Sequence, residues 1–176
     1  MNFQTPLRSQ SLTLRPLKLR DFEALHAAAS DPLIWEQHPD PRRFEREVFR
    51  LQFFEPAVAS GMAYVVEDNA SGQLIGSSRY YELDETKREV AIGFTFLARS
   101  HWGGAANREM KQLMLNHAFA AGIDRVWFHV GKHNIRSCKA MEKIGGVRSH
   151  EAVKSILGVD HDYVFYVIES QRVETL

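Results

Sequence analysis

The sequence holds a single cysteine, Cys138, so an internal disulfide is excluded and the fold must be held by packing. It has no excess of either charge, since 22 Lys and Arg balance 22 Asp and Glu. The basic footprint expected of a nucleic-acid binder is therefore missing. No stretch approaches the ~20 apolar residues of a membrane-spanning helix. The opening Met1 to Gln10 is polar and unlike a secretory signal. Neither a His-Glu-x-x-His motif nor a cysteine pair is present, so no metal is expected. These absences predict a cytoplasmic protein without nucleic-acid or membrane partners. Internal repeats and low-complexity segments are also lacking. What remains is an ordinary globular composition, 44% hydrophobic and 25% charged over 176 residues, which suits one domain over 1–176.

Periodicity supplies the elements. Leu12, Leu14 and Leu17 predict a strand over 11–17. Asp21 caps a predicted helix over 21–29, with Phe22, Leu25 and Ala29 on one face. A turn region follows, and Pro41 opens a second predicted helix over 41–59 with Phe44, Val48, Leu51 and Phe54 at helical spacing. Gly61 ends it. Strands are expected over 63–67, 74–83 and 88–97, the last with Val90, Ile92, Phe94 and Phe96 on one face and Gly93 marking a bulge. A helix over about 104–121 carries Met110, Leu113, Met114 and Ala118 as its apolar stripe, with Lys111, Gln112 and Asn116 facing away. Then come a short buried strand over 126–130, a helix over 135–144, and strands over 147–155 and 163–169. The order is β-α-α-β-β-β-α-β-α-β-β.

Two stretches carry chemistry. In the first, small residues gather where a strand hands over to a helix, from Leu97 through Trp102, Gly103, Gly104, Ala105, Ala106 and Asn107. Backbone N–H groups there can approach an anion, and the helix N-terminus adds partial positive charge; a pyrophosphate is the natural guest. A tight turn with close helix–sheet packing accounts for the same residues. The spacing fits neither a Walker loop nor a dinucleotide fingerprint. The second stretch reads Val130-Gly131-Lys132-His133-Asn134-Ile135-Arg136-Ser137, then Ala140-Met141-Glu142-Lys143-Ile144-Gly145.

With this second stretch the sequence closely resembles the GNAT superfamily of acyltransferases. Trp102-Gly103, and the opening Leu14-Arg15-Pro16-Leu17 with Asp21, resemble the branch that includes ribosomal-protein alanine acetyltransferases. The resemblance covers about residues 10–169. It implies an α/β (α+β) fold with a mixed, twisted sheet of six to seven strands, a V-shaped splay between two central strands, and helices on both faces. It implies acetyl transfer from acetyl-CoA to a primary amine, either a protein N-terminus or a small molecule, by direct attack on the thioester. A catalytically weak acyl-CoA-binding protein on the same scaffold is the alternative.

Carried over position by position, the backbone of Thr95, Phe96 and Leu97 would pair with the pantetheine arm, and Trp102 to Asn107 would cradle the pyrophosphate. Ala105 stands where the family usually has glycine, and its Cβ would crowd a phosphate if φ is positive there. Asn134 would bond the pantetheine arm or cap the helix. Where relatives place a tyrosine to protonate the leaving thiol, this chain has Met141, which leaves Ser137 as the candidate acid. His129 lies where some relatives carry a glutamate and is the candidate base, on a strand face shared with Trp127 and Gly131. Trp35, Glu36 and His38 fall where the family forms its acceptor pocket. A homodimer face over Trp127 and the hairpin 74–83 is compatible with the pattern.

Overall fold

The computed structural model describes residues 2–170. Its centre is one eight-stranded sheet in the order β1-β2-β3-β4-β5-β6-β8-β7. The strands are β1 (Leu7–Arg8), β2 (Leu12–Pro16), β3 (Ala63–Asp68), β4 (Leu74–Asp84), β5 (Glu89–Leu97), β6 (Arg125–Gly131), β7 (Val147–Ile156) and β8 (Val159–Glu169). The helices are α1 (Phe22–Ala29), α2 (Arg46–Phe49), α3 (Glu55–Ser60), α4 (Ala106–Ala120) and α5 (Ile135–Lys143). Neighbouring strands pair antiparallel except β5 and β6, where α4 carries the chain back to a parallel start. The strand beyond those expected is β1, two residues long and too short for a period-two pattern to show.

Helices cover both faces, as alternation along β3 makes plain. Tyr64 and Val66 join the core with Met110, Met114 and Ala118 of α4, while Ala63 and Val65 join Leu25, Phe49, Phe53 and Ala57 on the other side. No helix among the described residues is long and apolar enough to cross a membrane. β4 lies between β3 and β5, so both of its edges are paired within the sheet.

The single irregularity that shapes the site is in β5. Ser77 pairs with Phe96 and Arg79 with Gly93, so one extra residue stands on β5. That residue is Phe94, with φ 49, which makes the slip a β-bulge. The expected common face of Val90, Ile92, Phe94 and Phe96 is therefore wrong. Val90 and Ile92 face α4, whereas Phe96 packs in the opposite core and Phe94 is 37% exposed. Glycine at 93 leaves room for Tyr81, whose Cε1 would lie 2.9 Å from a Cβ there and would have to shift.

Beyond the bulge β5 follows β4 and β6 follows β8. The pairing of β5 with β6 covers only Glu89–Arg125, Val90–Val126 and Ala91–Trp127, whereas β6 pairs with β8 over its whole length. The two central strands thus open into the V that was expected.

Three other expectations need correction. The second helix is not continuous over 41–59. A 3-10 turn, Pro41–Phe44, is cut off by extended backbone at Glu45, and a π-helical turn, Arg50–Phe54, joins α2 to α3. The wider turn rotates the buried face to Phe49, Phe53, Phe54 and Ala57, and leaves Leu51 55% exposed. β8 starts at Val159, earlier than expected, because Leu157 (φ 52) and Gly158 (φ 77) form a tight two-residue turn pairing Ile156 with Val159.

The third correction is Lys111, which does not face away from the core. It is 3% exposed, and its Nζ donates to Thr95 Oγ1 at 2.6 Å and Ser78 Oγ at 3.3 Å. Burial pushes its pKa down to about 7. The unfolded chain keeps that proton up to the ordinary lysine range near 10.5, so it binds more protons than the fold between those values. Stability therefore rises with pH across that window. Replacing Lys111 with Met removes a buried charge and should stabilise by about 1–4 kcal/mol near pH 6. The gain should shrink to almost nothing near pH 10. Chemical denaturation of both proteins at the two pH values measures it, and a gain independent of pH would contradict the charge argument.

Candidate active site

The turn after β5 begins with anchoring contacts. Ala98 N–H donates to Ile75 O at 2.7 Å, and the Trp102 indole N–H donates to Leu97 O at 2.9 Å. Because successive strand amides alternate in direction, the amide of Leu97 points to the edge that β6 has left. Trp102 is clamped from above by the Arg136 guanidinium, 3.8 Å from its ring centre. Arg136 also reaches Ile34 O at 3.5 Å, tying the loop after α1 to the turn.

After Trp102 the backbone is open. Gly103 takes the positive φ, at +73, and no atom lies within 4 Å of where a Cβ would stand on Gly103 or Gly104. Ala105 has φ −79, so its side chain costs no strain, and the feared crowding does not arise. It caps α4 without offering a side-chain oxygen. Among the described residues the amides of Gly103, Gly104, Ala105, Ala106 and Asn107 have no hydrogen-bond acceptor. A row of free N–H groups at the start of a 15-residue helix is suited to an anion. The residues present therefore fit a pyrophosphate. A shallow pocket of about 280 Å³ runs along the outer flank of this turn, from Ser11 and Asp68 to Ala106.

Asn134 stands at the start of α5. Its Oδ1 accepts from the amide of Ser137 at 3.1 Å, so it is a helix cap, and its amide NH2 is left over to donate elsewhere. The Ser137 hydroxyl, on the first turn, makes no hydrogen bond among the described residues. Met141 is buried in the core under α4.

On the opposite face of the V the contacts close a ring. Arg79 from β4 lies over the Phe94 ring, 3.6 Å from its centre. Phe94 meets Tyr81 edge-on at 5.1 Å, and Tyr81 meets His129 at 5.4 Å. His129 Nδ1 accepts from Lys154 Nζ at 2.6 Å, and its ring lies 4.3 Å from that of Phe165. Lys154 lies 5.4 Å from the Tyr163 ring centre. Arg43 lies near enough to Tyr163 and Arg79 for their charges to act on it. His38 joins at the rim, with Nε2 accepting from Arg43 at 3.1 Å.

Charge is confined in this basin. Burial lowers the pKa of Arg43, Arg79 and Lys154 and raises that of Tyr81 and Tyr163. His129 falls to about 4 through burial and then through Lys154 and His150. His38 falls to about 3 through burial and then Arg43 and His161. Both rings are neutral at pH 7.

The residues expected to form the site divide by face. Val126, Phe128 and Val130 of β6 pack under α4 with Met141 of α5, so β6 separates Ser137 from His129. Of the expected acceptor residues, Trp35 is 2% exposed, its indole N–H satisfied by Ala29 O at 2.8 Å and its ring packed on Phe53 and Phe96. It forms the floor. Glu36 is exposed and couples to Arg136. Arg43, Arg79 and Lys111 were missed because a lone cation on a mixed face reads as solvated; no spacing in the sequence marks them. Among the described residues no cluster suits a metal ion.

The sequence matches the family described as Acetyltransferase (GNAT) domain over residues 11–147. No curated protein matches it in sequence. Among solved structures it is similar to a GCN5-related N-acetyltransferase from Brucella melitensis, with TM-score 0.85, 19% identity, and coverage of 94% of this chain and 79% of that one. It is also similar to the spermidine N-acetyltransferase of Vibrio cholerae in complex with CoA and spermine, with TM-score 0.71, 22% identity, and coverage of 92% and 96%. A third is the ribosomal-protein-S5-alanine acetyltransferase of Vibrio fischeri, with TM-score 0.71, 18% identity, and coverage of 95% and 97%. At these identities the likeness is one of fold.

The two depressed histidines make a pH prediction. Below the ordinary histidine range near 6.5 the unfolded chain takes up protons that His38 and His129 refuse until about 3 and 4. Stability must therefore fall as pH drops through that interval. The double variant His38→Gln, His129→Gln should show a shallower fall in urea midpoint between about pH 7 and about pH 4.5 than wild type. Parallel curves for the two proteins would refute the assignment.

Proposed function

The chain belongs to the GNAT acetyltransferase family, and from that premise we propose that it moves an acetyl group from acetyl-CoA to a primary amine by direct attack on the thioester. The observation that carries this reading is the row of unpaired amides from Gly103 to Asn107 beside the open edge of β5. When bound, acetyl-CoA supplies the activated acetyl group. Trp102 to Asn107 hold its pyrophosphate through backbone N–H groups. The backbone of Thr95, Phe96 and Leu97 lines the pantetheine arm, and the free amide NH2 of Asn134 donates to it.

The amine approaches on the basin side. Arg43, Arg79 and Lys154 raise the free energy of a second ammonium there, which lowers the pKa of the bound amine. A weak base then suffices, and His129 is the proposed proton acceptor, exchanging its Lys154 contact for the substrate. Ser137, across β6, is the proposed proton donor to the leaving thiolate and is itself reprotonated from solvent, to which His129 releases the proton of the amine. His38 and Glu36 line the approach, above Trp35. The resemblance to ribosomal-protein alanine acetyltransferases does not choose the acceptor. Its Arg15 and Asp21 form a half-buried two-bond ion pair at 2.8 and 2.9 Å that holds β2 to the start of α1, a structural duty.

Calorimetry with acetyl-CoA tests the reading. Wild type should bind, and Gly103→Val, which places a β-branched residue at positive φ, should weaken binding about tenfold or more. His129→Gln should lower kcat by about 10²-fold and remove any acid limb at low pH, while Ser137→Ala should lower kcat with KM for acetyl-CoA little changed. Absence of acetyl-CoA binding to the wild type would overturn the proposal.

A further inference from the structure

The basin holds more positive charge than the transfer of an acetyl group requires. Arg43 is 7% exposed, and its Nε is buried without a hydrogen-bond partner. Arg79 Nε is also buried without one. Neither guanidinium makes a salt bridge among the described residues, and theirs are the only arginine side chains there with a buried nitrogen that lacks a hydrogen-bond partner. The carboxylates nearby are two. Asp40 couples to Arg43, but its Oδ1 caps the next turn at Arg42 N, and its Oδ2 has no partner. Glu82 faces Lys154 and His129 and is 63% exposed. Three cations are thus set against one capping and one solvated acid.

An arginine in an apolar setting is stable when its planar fork is met by an oxyanion. Arg79 sits over the exposed Phe94 ring, 3.6 Å from its centre, and the buried Arg43 is near enough to feel its charge. From this we infer that the acceptor is an amine that itself carries a carboxylate, as a free amino acid does, and that Arg79, backed by Arg43, binds that carboxylate. The inference rests on the acetyl-transfer reading above. It disfavours polyamines, since a second ammonium would meet Arg43, Arg79 and Lys154. It also disfavours a peptide N-terminus, whose neighbouring carbonyl is an uncharged amide.

The test uses free amino acids against their carboxamides, with spermidine as a third class, and measures kcat/KM at saturating acetyl-CoA. A second measurement titrates N-acetylated amino acids and their amides into the protein, so that no amine titrates and turnover is not needed. The acids should be preferred over the amides by about tenfold or more in both. Arg79→Gln should lose that preference while keeping wild-type affinity for acetyl-CoA. Arg79→Lys should restore part of it. Since Arg43 is buried and its removal risks the fold, Arg79 carries the decision. Preference for amides or spermidine, or equal use of acids and amides, overturns the inference and leaves acetyl transfer standing. So does failure of every acid to react or bind while acetyl-CoA binds. Loss of acetyl-CoA binding in the wild type would instead sink the transfer reading and this inference with it.

Discussion

Everything in the site depends on one extra residue in β5. A strand that kept its register would carry β5 alongside β6 to its end, and the sheet would close. Phe94 enters with positive φ, the twist of β5 increases, and the strand leaves β6 after Ala91. The gap exposes strand amides toward the turn at Gly103. The same insertion shifts the phase of β5. Thr95 turns toward Lys111 and Phe96 toward Trp35, so the two faces of the V acquire different chemistry.

That difference is electrostatic. On the α4 side the groups are neutral or satisfied, with amides awaiting an anion and a lysine whose charge burial suppresses. On the other side Arg43 and Arg79 make no salt bridge among the described residues, and both histidines are neutral. Desolvation explains both. A guanidinium keeps its proton even when buried, because its intrinsic pKa is too high to be pulled to neutrality. An imidazole, or an amine as deeply buried as Lys111, is pulled toward neutrality instead. Residue type and depth of burial together decide which groups store charge, and that of Arg43 and Arg79 lies on the face where the proposed acceptor would approach.

The sequence announced the elements better than their phases. Strict alternation in β6 placed its side chains correctly, with Val126, Phe128 and Val130 inward and His129 on the other face. The GNAT motifs marked the turn and the α5 start, since glycine and a helix cap are local needs. Phase failed wherever a backbone irregularity intervened, at the bulge in β5 and the π-turn before α3. Neither irregularity has a side-chain signature strong enough to announce it. Gly93 hinted at the first, yet the residue that departs is its neighbour. The buried cations were illegible for another reason. Lys111 sits at a helix position that reads as exposed, and only the hydroxyls of Ser78 and Thr95, more than fifteen residues before it in the chain, make its burial tolerable.

Ala105 shows how a family pattern is better read by conformation than by letter. A glycine is needed in such a turn where φ is positive or where a ligand meets the backbone. Here the positive φ has settled on Gly103, and Gly104 leaves the approach clear, so position 105 is released to αR geometry and accepts a side chain as the first residue before α4. The loss of a second glycine therefore costs the anion site none of its donors. What the substitution changes is stiffness: a Cβ at 105 narrows the backbone's freedom in the unfolded chain, leaving the turn better organised before any phosphate arrives.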